Sequence, residues 1–269
     1  MQANVLLEKC RAGETVIGLG VMYGAPGIVE GMCKDVDFAW IDGQHGLQGY
    51  DLLLDTMRAA DAVGVDALMR VPGHEYGVVG PIADLAPSAI MIPMVNNAEE
   101  AENVVANLTF APRGRRSYGG RRVIDLYGRD YYRDRPIMLV PQIETVEAVN
   151  NIEEIVAVDG VDGVFFGPDD MRIQIGLPMD SSPLDTPQLR DAMAKTAAAA
   201  NAAGKTAGTV GATPETFDLC LELGYRMIAG GGDVQFIRTS ALRRVAEMRE
   251  AMGAKGVSAA QTGSSIYGG

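Results

Sequence analysis

Val140-Pro-Gln-Ile-Glu-Thr-Val-Glu147 and Val161-Asp-Gly-Val-Phe-Phe-Gly-Pro-Asp-Asp170 are the stretches whose reading decides the fold. Each is an apolar run that ends in polar residues, as a buried β-strand does when its C-terminal end opens onto chemistry. Residues 137–140 are continuously apolar, and Gln142 and Glu144 then alternate with Ile143. Period-2 geometry puts Gln142 and Glu144 on one face of that strand. In the second stretch Val164-Phe165-Phe166 runs into Gly167-Pro168 and then Asp169 and Asp170. As neighbours in a parallel sheet, the two strands would bring Glu144 and Asp170 side by side at one edge. Two carboxylates and an amide oxygen are hard ligands that suit Mg²⁺ or Mn²⁺. Two surface acids near strand ends are the alternative, and spacing alone leaves both readings open.

Working outward, the same unit recurs along the chain. Apolar runs at 15–22, 37–42, 66–71, 89–95, 206–210 and 225–229 join the two opening stretches as expected strands. Helical patterns fall between them, at 28–33, 50–62, 78–85, 97–108, 146–156, 187–204, 213–224 and 234–252. Leu53, Leu54, Met57 and Ala60 give 50–62 the spacing of an amphipathic helix, and Asn97 with Glu100 three residues on has the capping-box pattern. Strict alternation predicts a parallel sheet with helical crossovers, and eight units close into a (β/α)₈ TIM barrel. An open doubly wound sheet seldom needs eight consecutive units. We therefore expect one barrel domain over 1–252 and a flexible Gly-, Ala- and Ser-rich tail over 253–269.

Composition narrows the partners. A net charge of −12 argues against nucleic acid or an anionic membrane surface. Cys10, Cys33 and Cys220 are far apart and in no ligand spacing, as in reduced thiols of a cytoplasmic protein. Glu8, Lys9 and Arg11 interrupt any signal-peptide core, and no apolar run approaches the ~18 residues of a membrane span. Between 110 and 135 lies a long polar loop with eight arginines (113, 115, 116, 121, 122, 129, 133 and 135). Loops of this length are usually functional or disordered, and here a subunit interface or an anion-facing lid is expected. Residues 178–187 read as a plain surface loop.

In such a barrel the active site lies at the C-terminal ends of the strands. That rim would gather Asp42, Gln44 and His45 after the second strand, Arg70 at the third, Gln142 and Glu144 at the fifth, and Asp169 and Asp170 after the sixth. A loop histidine is more often solvated than catalytic; the neighbours of His45 reverse that reading, and those of His74, in a turn beside Glu75, do not. Arg70 points inward to an anion or outward into an ion pair. Gly230-Gly231-Gly232 reads as a tight turn rather than a phosphate cradle.

These residues carry a resemblance. Ile41-Asp-Gly-Gln-His-Gly46, Met69-Arg-Val-Pro72, Ile92-Pro-Met-Val-Asn-Asn-Ala-Glu-Glu-Ala101, Gln142-Ile-Glu-Thr145 and Gly163-Val-Phe-Phe-Gly-Pro-Asp-Asp170 resemble the HpcH/HpaI aldolase family of metal-dependent class II pyruvate aldolases, typified by 4-hydroxy-2-oxoheptanedioate aldolase. The likeness runs from about Thr15 to Ala241. It implies a lyase that cleaves a 4-hydroxy-2-oxo acid to pyruvate and an aldehyde through a metal-stabilised pyruvate enolate. It also implies a homo-oligomer, a hexamer built as a trimer of dimers, with the last helix swapped between subunits. By the same resemblance Glu144 and Asp170 would hold Mg²⁺, Mn²⁺ or Co²⁺. Gln142, Gly167, Asp169, Asp170 and Val210 would bind substrate, His45 would be the base, and Arg70 would steady the enolate oxygen. Asp84, in Ile82-Ala-Asp-Leu-Ala86, matches an aspartate that raises the basicity of the histidine across the subunit interface. The chain departs from the family at Gln44, where Glu is usual, at Asp169, where a small residue is usual, and at Arg172, where Ser is common. The remaining readings are an oxaloacetate-type 2-oxo-acid decarboxylase using the same site and a non-catalytic ligand-binding barrel.

Overall fold

The computed structural model describes residues 4–252, so the expected tail over 253–269 lies outside the described residues. Eight strands, β1 (Val16–Val21), β2 (Phe38–Asp42), β3 (Asp66–Arg70), β4 (Ala89–Ile92), β5 (Met138–Ile143), β6 (Gly163–Phe166), β7 (Thr206–Val210) and β8 (Met227–Gly232), pair in parallel and in chain order. β8 closes on β1, giving the expected (β/α)₈ barrel. The helices are α1 (Val5–Arg11), α2 (Pro26–Met32), α3 (Tyr50–Val63), α4 (Tyr76–Ala83), α5 (Ala98–Leu108), α6 (Arg121–Tyr127), α7 (Tyr131–Asp134), α8 (Val146–Asn150), α9 (Ile152–Ala157), α10 (Pro168–Gln174), α11 (Pro187–Ala202), α12 (Pro214–Leu223) and α13 (Asp233–Ala251).

Strand alternation divides the apolar residues into two layers. Phe38, Trp40, Leu68, Met138, Val140 and Phe165 fill the barrel interior. Their neighbours Ala39, Ile41, Ala67, Met69, Leu139, Ile143, Val164 and Phe166 pack outward against the helices. Trp40 and Phe165 meet across the interior with ring centroids 5.3 Å apart. Carried on toward the C-terminal ends, the inward set becomes Asp42 after Trp40, Arg70 after Leu68, and Gln142 and Glu144 after Val140. The period that builds the core thus aims the polar residues at the rim.

The structure corrects several expectations. Residues 5–11 form a helix that sequence reading did not find. Leu6, Leu7 and Cys10 of α1 are buried in the interior cluster, so α1 closes the floor of the barrel. Asn4 caps it, accepting from the Leu7 N–H at 3.0 Å and donating to the Ser88 carbonyl at 2.7 Å. The expected helix over 146–156 is interrupted at Asn151, whose side chain donates to the Asn96 carbonyl at 2.9 Å. The arginine-rich stretch is no open loop: α6 and α7 lie in it, held by Val123 and Tyr131 buried against Ala86. Several of its arginines are engaged, Arg113 with Asp159, Arg116 with Asp84, Arg121 with Asp125 and Arg122 with Asp61. Gly230-Gly231-Gly232 is the end of β8 rather than a turn. Gly231 sits there at φ +114°, a conformation open to glycine, where the pairing with β1 shifts register.

Beyond the buried Asp233, α13 is largely exposed, including Ile237, Leu242, Val245 and Met248. Among the described residues no helix is long and apolar enough to cross a membrane.

Candidate active site

The C-terminal rim holds a cavity of about 310 Å³ lined by His45, Arg70, Gln142, Gly167, Asp169, Asp170, Arg172 and Val210, over a floor of Trp40 and Phe165. Glu144 borders it through Gly167. A Cβ at Gly167 would stand 2.8 Å from Glu144 Cβ, 2.8 Å from Glu144 Oε2 and 2.9 Å from Gln142 Nε2, so only glycine admits both side chains. The structure therefore brings together every site residue expected from the sequence except Asp84. Asp84 ends α4 outside the cavity and accepts from Arg116 at 2.8 Å.

Arg70 has both the inward position and the ion pair that sequence reading set as alternatives. Its Nε and Nη2 donate to the two oxygens of Asp42 at 2.9 and 2.5 Å, and its guanidinium lies 4.9 Å from the Trp40 ring centroid. Asp42 is wholly buried, and burial alone would raise its pKa. The Arg70 hydrogen bonds and charge outweigh that and hold the carboxyl below the usual carboxylate range. Asp42 also accepts from the backbone N–H groups of Gln44 (3.0 Å) and His45 (3.3 Å). One buried carboxylate thus fixes both the cation and the loop that carries His45, which is itself exposed at the rim.

Glu144 and Gln142 sit deeper, at 2 % and 3 % exposure. Glu144 Oε1 accepts from the Met94 N–H at 2.8 Å, and Met94 meets it from a left-handed φ of +55°. Glu144 Oε2 and Gln142 Oε1 are buried without a hydrogen-bond partner. Burial, opposed by the Met94 N–H and reinforced by the charge of Asp170, pushes the Glu144 carboxyl up to about 7. Buried acceptor atoms left unsatisfied are costly, and two carboxylates repelling at close quarters add to that cost. A divalent cation between them would relieve both, and the donor set is all hard oxygen. Among the described residues no group of three or more His, Cys, Asp and Glu side chains that could hold a metal ion converges.

Asp169 and Asp170 lie in the first turn of α10, a helix that sequence reading did not assign, with Pro168 at its start. That end of a helix favours negative charge. Arg172 donates to Asp169 at 2.5 Å and to the Ser181 carbonyl at 2.7 Å, so it pairs with Asp169 while facing the cavity. Burial raises the pKa of Asp169, Arg172 opposing and the Asp170 charge adding to the rise. None of the arginines of 110–135 lines this cavity; Arg113, Arg116, Arg133 and Arg135 line a second one of about 550 Å³ with Asp159 and Lys205.

Sequence reading gave no task to Asp42, Met94 or Asp233. Asp42 continues the inward set of β2, and that period was the available signal. Asp233, wholly buried at the start of α13, accepts from the N–H groups of Met22 (3.0 Å) and Tyr23 (2.9 Å) and so ties the loop after β1 to the rim. Met94 acts through its backbone and left no signal in the sequence.

Known proteins resemble this chain along most of its length. The family model for HpcH/HpaI aldolase/citrate lyase matches residues 30–240. The chain is 33% identical to a 4-hydroxy-2-oxovalerate aldolase from Novosphingobium aromaticivorans, over 94% of this chain and 97% of that protein. It is 30% identical to a hydroxypyruvate/pyruvate aldolase from Cupriavidus necator, over 92% and 93%. Among solved structures, an HpcH/HpaI aldolase/citrate lyase family protein from Burkholderia cenocepacia superposes with a TM-score of 0.85 at 26% identity, covering 92% of this chain and 100% of that one.

Proposed function

The chain belongs to the HpcH/HpaI aldolase/citrate lyase family, and we propose that it is a metal-dependent aldolase that cleaves a 4-hydroxy-2-oxo acid to pyruvate and an aldehyde. The observation that carries the reading is the Glu144–Asp170 pair at the rim, with Glu144 Oε2 and Gln142 Oε1 buried and unpartnered beside Arg70. Glu144 and Asp170 would hold the divalent cation, Mg²⁺, Mn²⁺ or Co²⁺. When bound, the cation supplies Lewis-acid stabilisation of negative charge developing on the 2-oxo group.

The remaining tasks fall to the chain's own groups. His45 takes the proton from the 4-hydroxyl; the C3–C4 bond breaks, its electrons pass to the pyruvate half as an enolate, and the aldehyde leaves. General-base help of this kind is worth about 10²–10⁴-fold. Arg70, held by Asp42 and the Trp40 face, presents fixed positive charge to the oxygen on which the enolate charge collects. Gln142, with the backbone about Gly167 and Asp169, orients the pyruvate half, and Val210 contributes to its wall. The apolar floor of Trp40 and Phe165 limits water around the enolate. Asp84 would act on the histidine of a neighbouring subunit, which requires a homo-oligomer. The long exposed α13, with Ile237, Val245 and Met248 on its surface, supports assembly through that helix into the hexamer. The three cysteines are buried free thiols, which supports a cytoplasmic setting.

A panel of 4-hydroxy-2-oxo acids incubated with the purified chain and Mn²⁺ tests the proposal. Pyruvate should be released from at least one of them, and release should vanish in Glu144→Ala. No release from any member would refute it.

A further inference from the structure

We infer that His74, read from the sequence as a solvated loop residue, is a positioning residue for Glu144. The inference rests on Glu144 being a metal ligand and extends it to a group outside the cavity. His74 Nε2 lies 2.5 Å from the carbonyl oxygen of Pro93. A carbonyl can only accept, so Nε2 is the donor in this contact. Pro93 directly precedes Met94, the residue whose N–H donates to Glu144 Oε1 at 2.8 Å. The His74 bond thus falls on the peptide unit that carries the Met94 N–H: the Pro93 carbonyl and the Met94 N–H are its two polar ends. Holding one end aims the other.

The segment needs holding. β4 stops at Ile92, and Met94 has a positive φ of +55° without being glycine, a conformation that persists only where its surroundings impose it. On the far side Asn96 is anchored, its N–H donating to Glu100 at 2.7 Å and its carbonyl accepting from Asn151 at 2.9 Å. On the near side His74 supplies the restraint. His74 is itself fixed through its backbone: its carbonyl accepts from the Asn107 side-chain amide at 2.8 Å, and the side-chain Oδ1 of Asn107 accepts from Arg115 Nε at 2.8 Å. The chain Arg115, Asn107, His74, Pro93–Met94, Glu144 therefore runs unbroken from the arginine-rich segment to the ligand. Without the His74 bond the peptide can rotate, the Met94 N–H loses its aim, and Oε1 of a buried carboxylate is left without its donor. Supporting hydrogen bonds of this kind typically govern about 10–100-fold in metal affinity.

The test is a Mn²⁺ titration of the full chain, free Mn²⁺ being read by electron paramagnetic resonance, so that no turnover is needed. His74→Phe keeps a ring but cannot donate, and His74→Asn donates from a side chain too short to reach Pro93; one serves where the other fails to fold. His74→Gln places an N–H at nearly the reach of Nε2. We expect Phe and Asn to weaken Mn²⁺ binding about 10–100-fold, and Gln to stay within about twofold of the unsubstituted chain. Equal weakening in all three would overturn the hydrogen-bond account. So would Phe and Asn variants that bind as tightly as the unsubstituted chain while Glu144→Ala has lost Mn²⁺. If Glu144→Ala itself retains full affinity, the ligand assignment is wrong and this inference falls with it.

Discussion

Gly167→Ala adds one methyl group at the point where the fold and the site meet. The new Cβ would lie 2.8 Å from Glu144 Cβ, 2.8 Å from Glu144 Oε2 and 2.9 Å from Gln142 Nε2. Carbon atoms pack at about 3.5–4.0 Å, so the overlap with Glu144 Cβ is at least about 0.7 Å. Glu144 Cβ is not the free end of a flexible side chain. The residue directly follows β5, and its Oε1 is tied to the Met94 N–H at 2.8 Å, so it has little room to retreat. The backbone of Gly167 is equally held, its N–H donating to the Ile143 carbonyl at 2.9 Å. Overpacking of this kind costs about 1–3 kcal/mol of stability, and displacing a ligand by such a distance should cost about 10–100-fold in metal affinity. Thermal unfolding and Mn²⁺ calorimetry on the same preparation would show a modestly lowered midpoint and a much weakened Kd. An alanine variant that binds Mn²⁺ as tightly as the parent would refute the argument that Gly167 exists to admit Glu144 and Gln142.

Four further outcomes follow from the same geometry. Arg70→Lys keeps the charge but loses the two-pronged pairing with Asp42, and turnover should fall about 10²–10³-fold with little change in Mn²⁺ affinity; unchanged kcat would remove Arg70 from the chemistry. In the metal-free chain the folded pKa of Glu144 lies above its unfolded value, so its contribution to stability is full below about 4.5 and is lost as pH rises through about 7, a few kcal/mol in all; urea unfolding across that window should show the decline, and Glu144→Gln should flatten it. For the same reason apparent Mn²⁺ affinity should fall about tenfold per pH unit below 7 as the proton competes for Glu144, and an affinity independent of pH would contradict the assignment. Leu6→Ala opens the floor of the barrel at a fully buried position of α1, and should cost about 2–5 kcal/mol by chemical denaturation while leaving KM unchanged.

The barrel was legible because each strand carries a period-2 or continuous apolar run bounded by turn residues, and because alternation with helices recurs along the chain. The same period made Gln142 and Glu144 legible as a pair, since inward positions at strand ends continue the core. What escaped reading has physical causes. Helix α1 is seven residues long, and its burial against Val16, Phe38 and Leu68 is a tertiary fact that no local pattern announces. The helix α10 begins at a proline and two aspartates, which look like loop until the strand before it is fixed. Gly230 to Gly232 continue β8, with Gly232 paired to Gly20 of β1, although their composition signals a turn. The arginine-rich segment was visible as an anomaly, but its arginines answer to aspartates as distant as Asp61, Asp84 and Asp159. The tasks of Asp42 and His74 are through-space hydrogen bonds, one to a side chain and one to a carbonyl; the period of β2 aims Asp42 inward, but spacing along the chain names neither partner.

Glu144 and Asp170 are proposed to hold a divalent cation where the pyruvate half loses and regains a proton. Exchange of the pyruvate methyl hydrogens with solvent deuterium, followed by NMR in the presence of Mg²⁺, tests it without knowledge of the aldehyde. Exchange should need both protein and Mg²⁺, and should disappear in Glu144→Gln and in Asp170→Asn while both variants remain folded. Exchange that persists in either variant, or that proceeds undiminished with the cation chelated away, would contradict it.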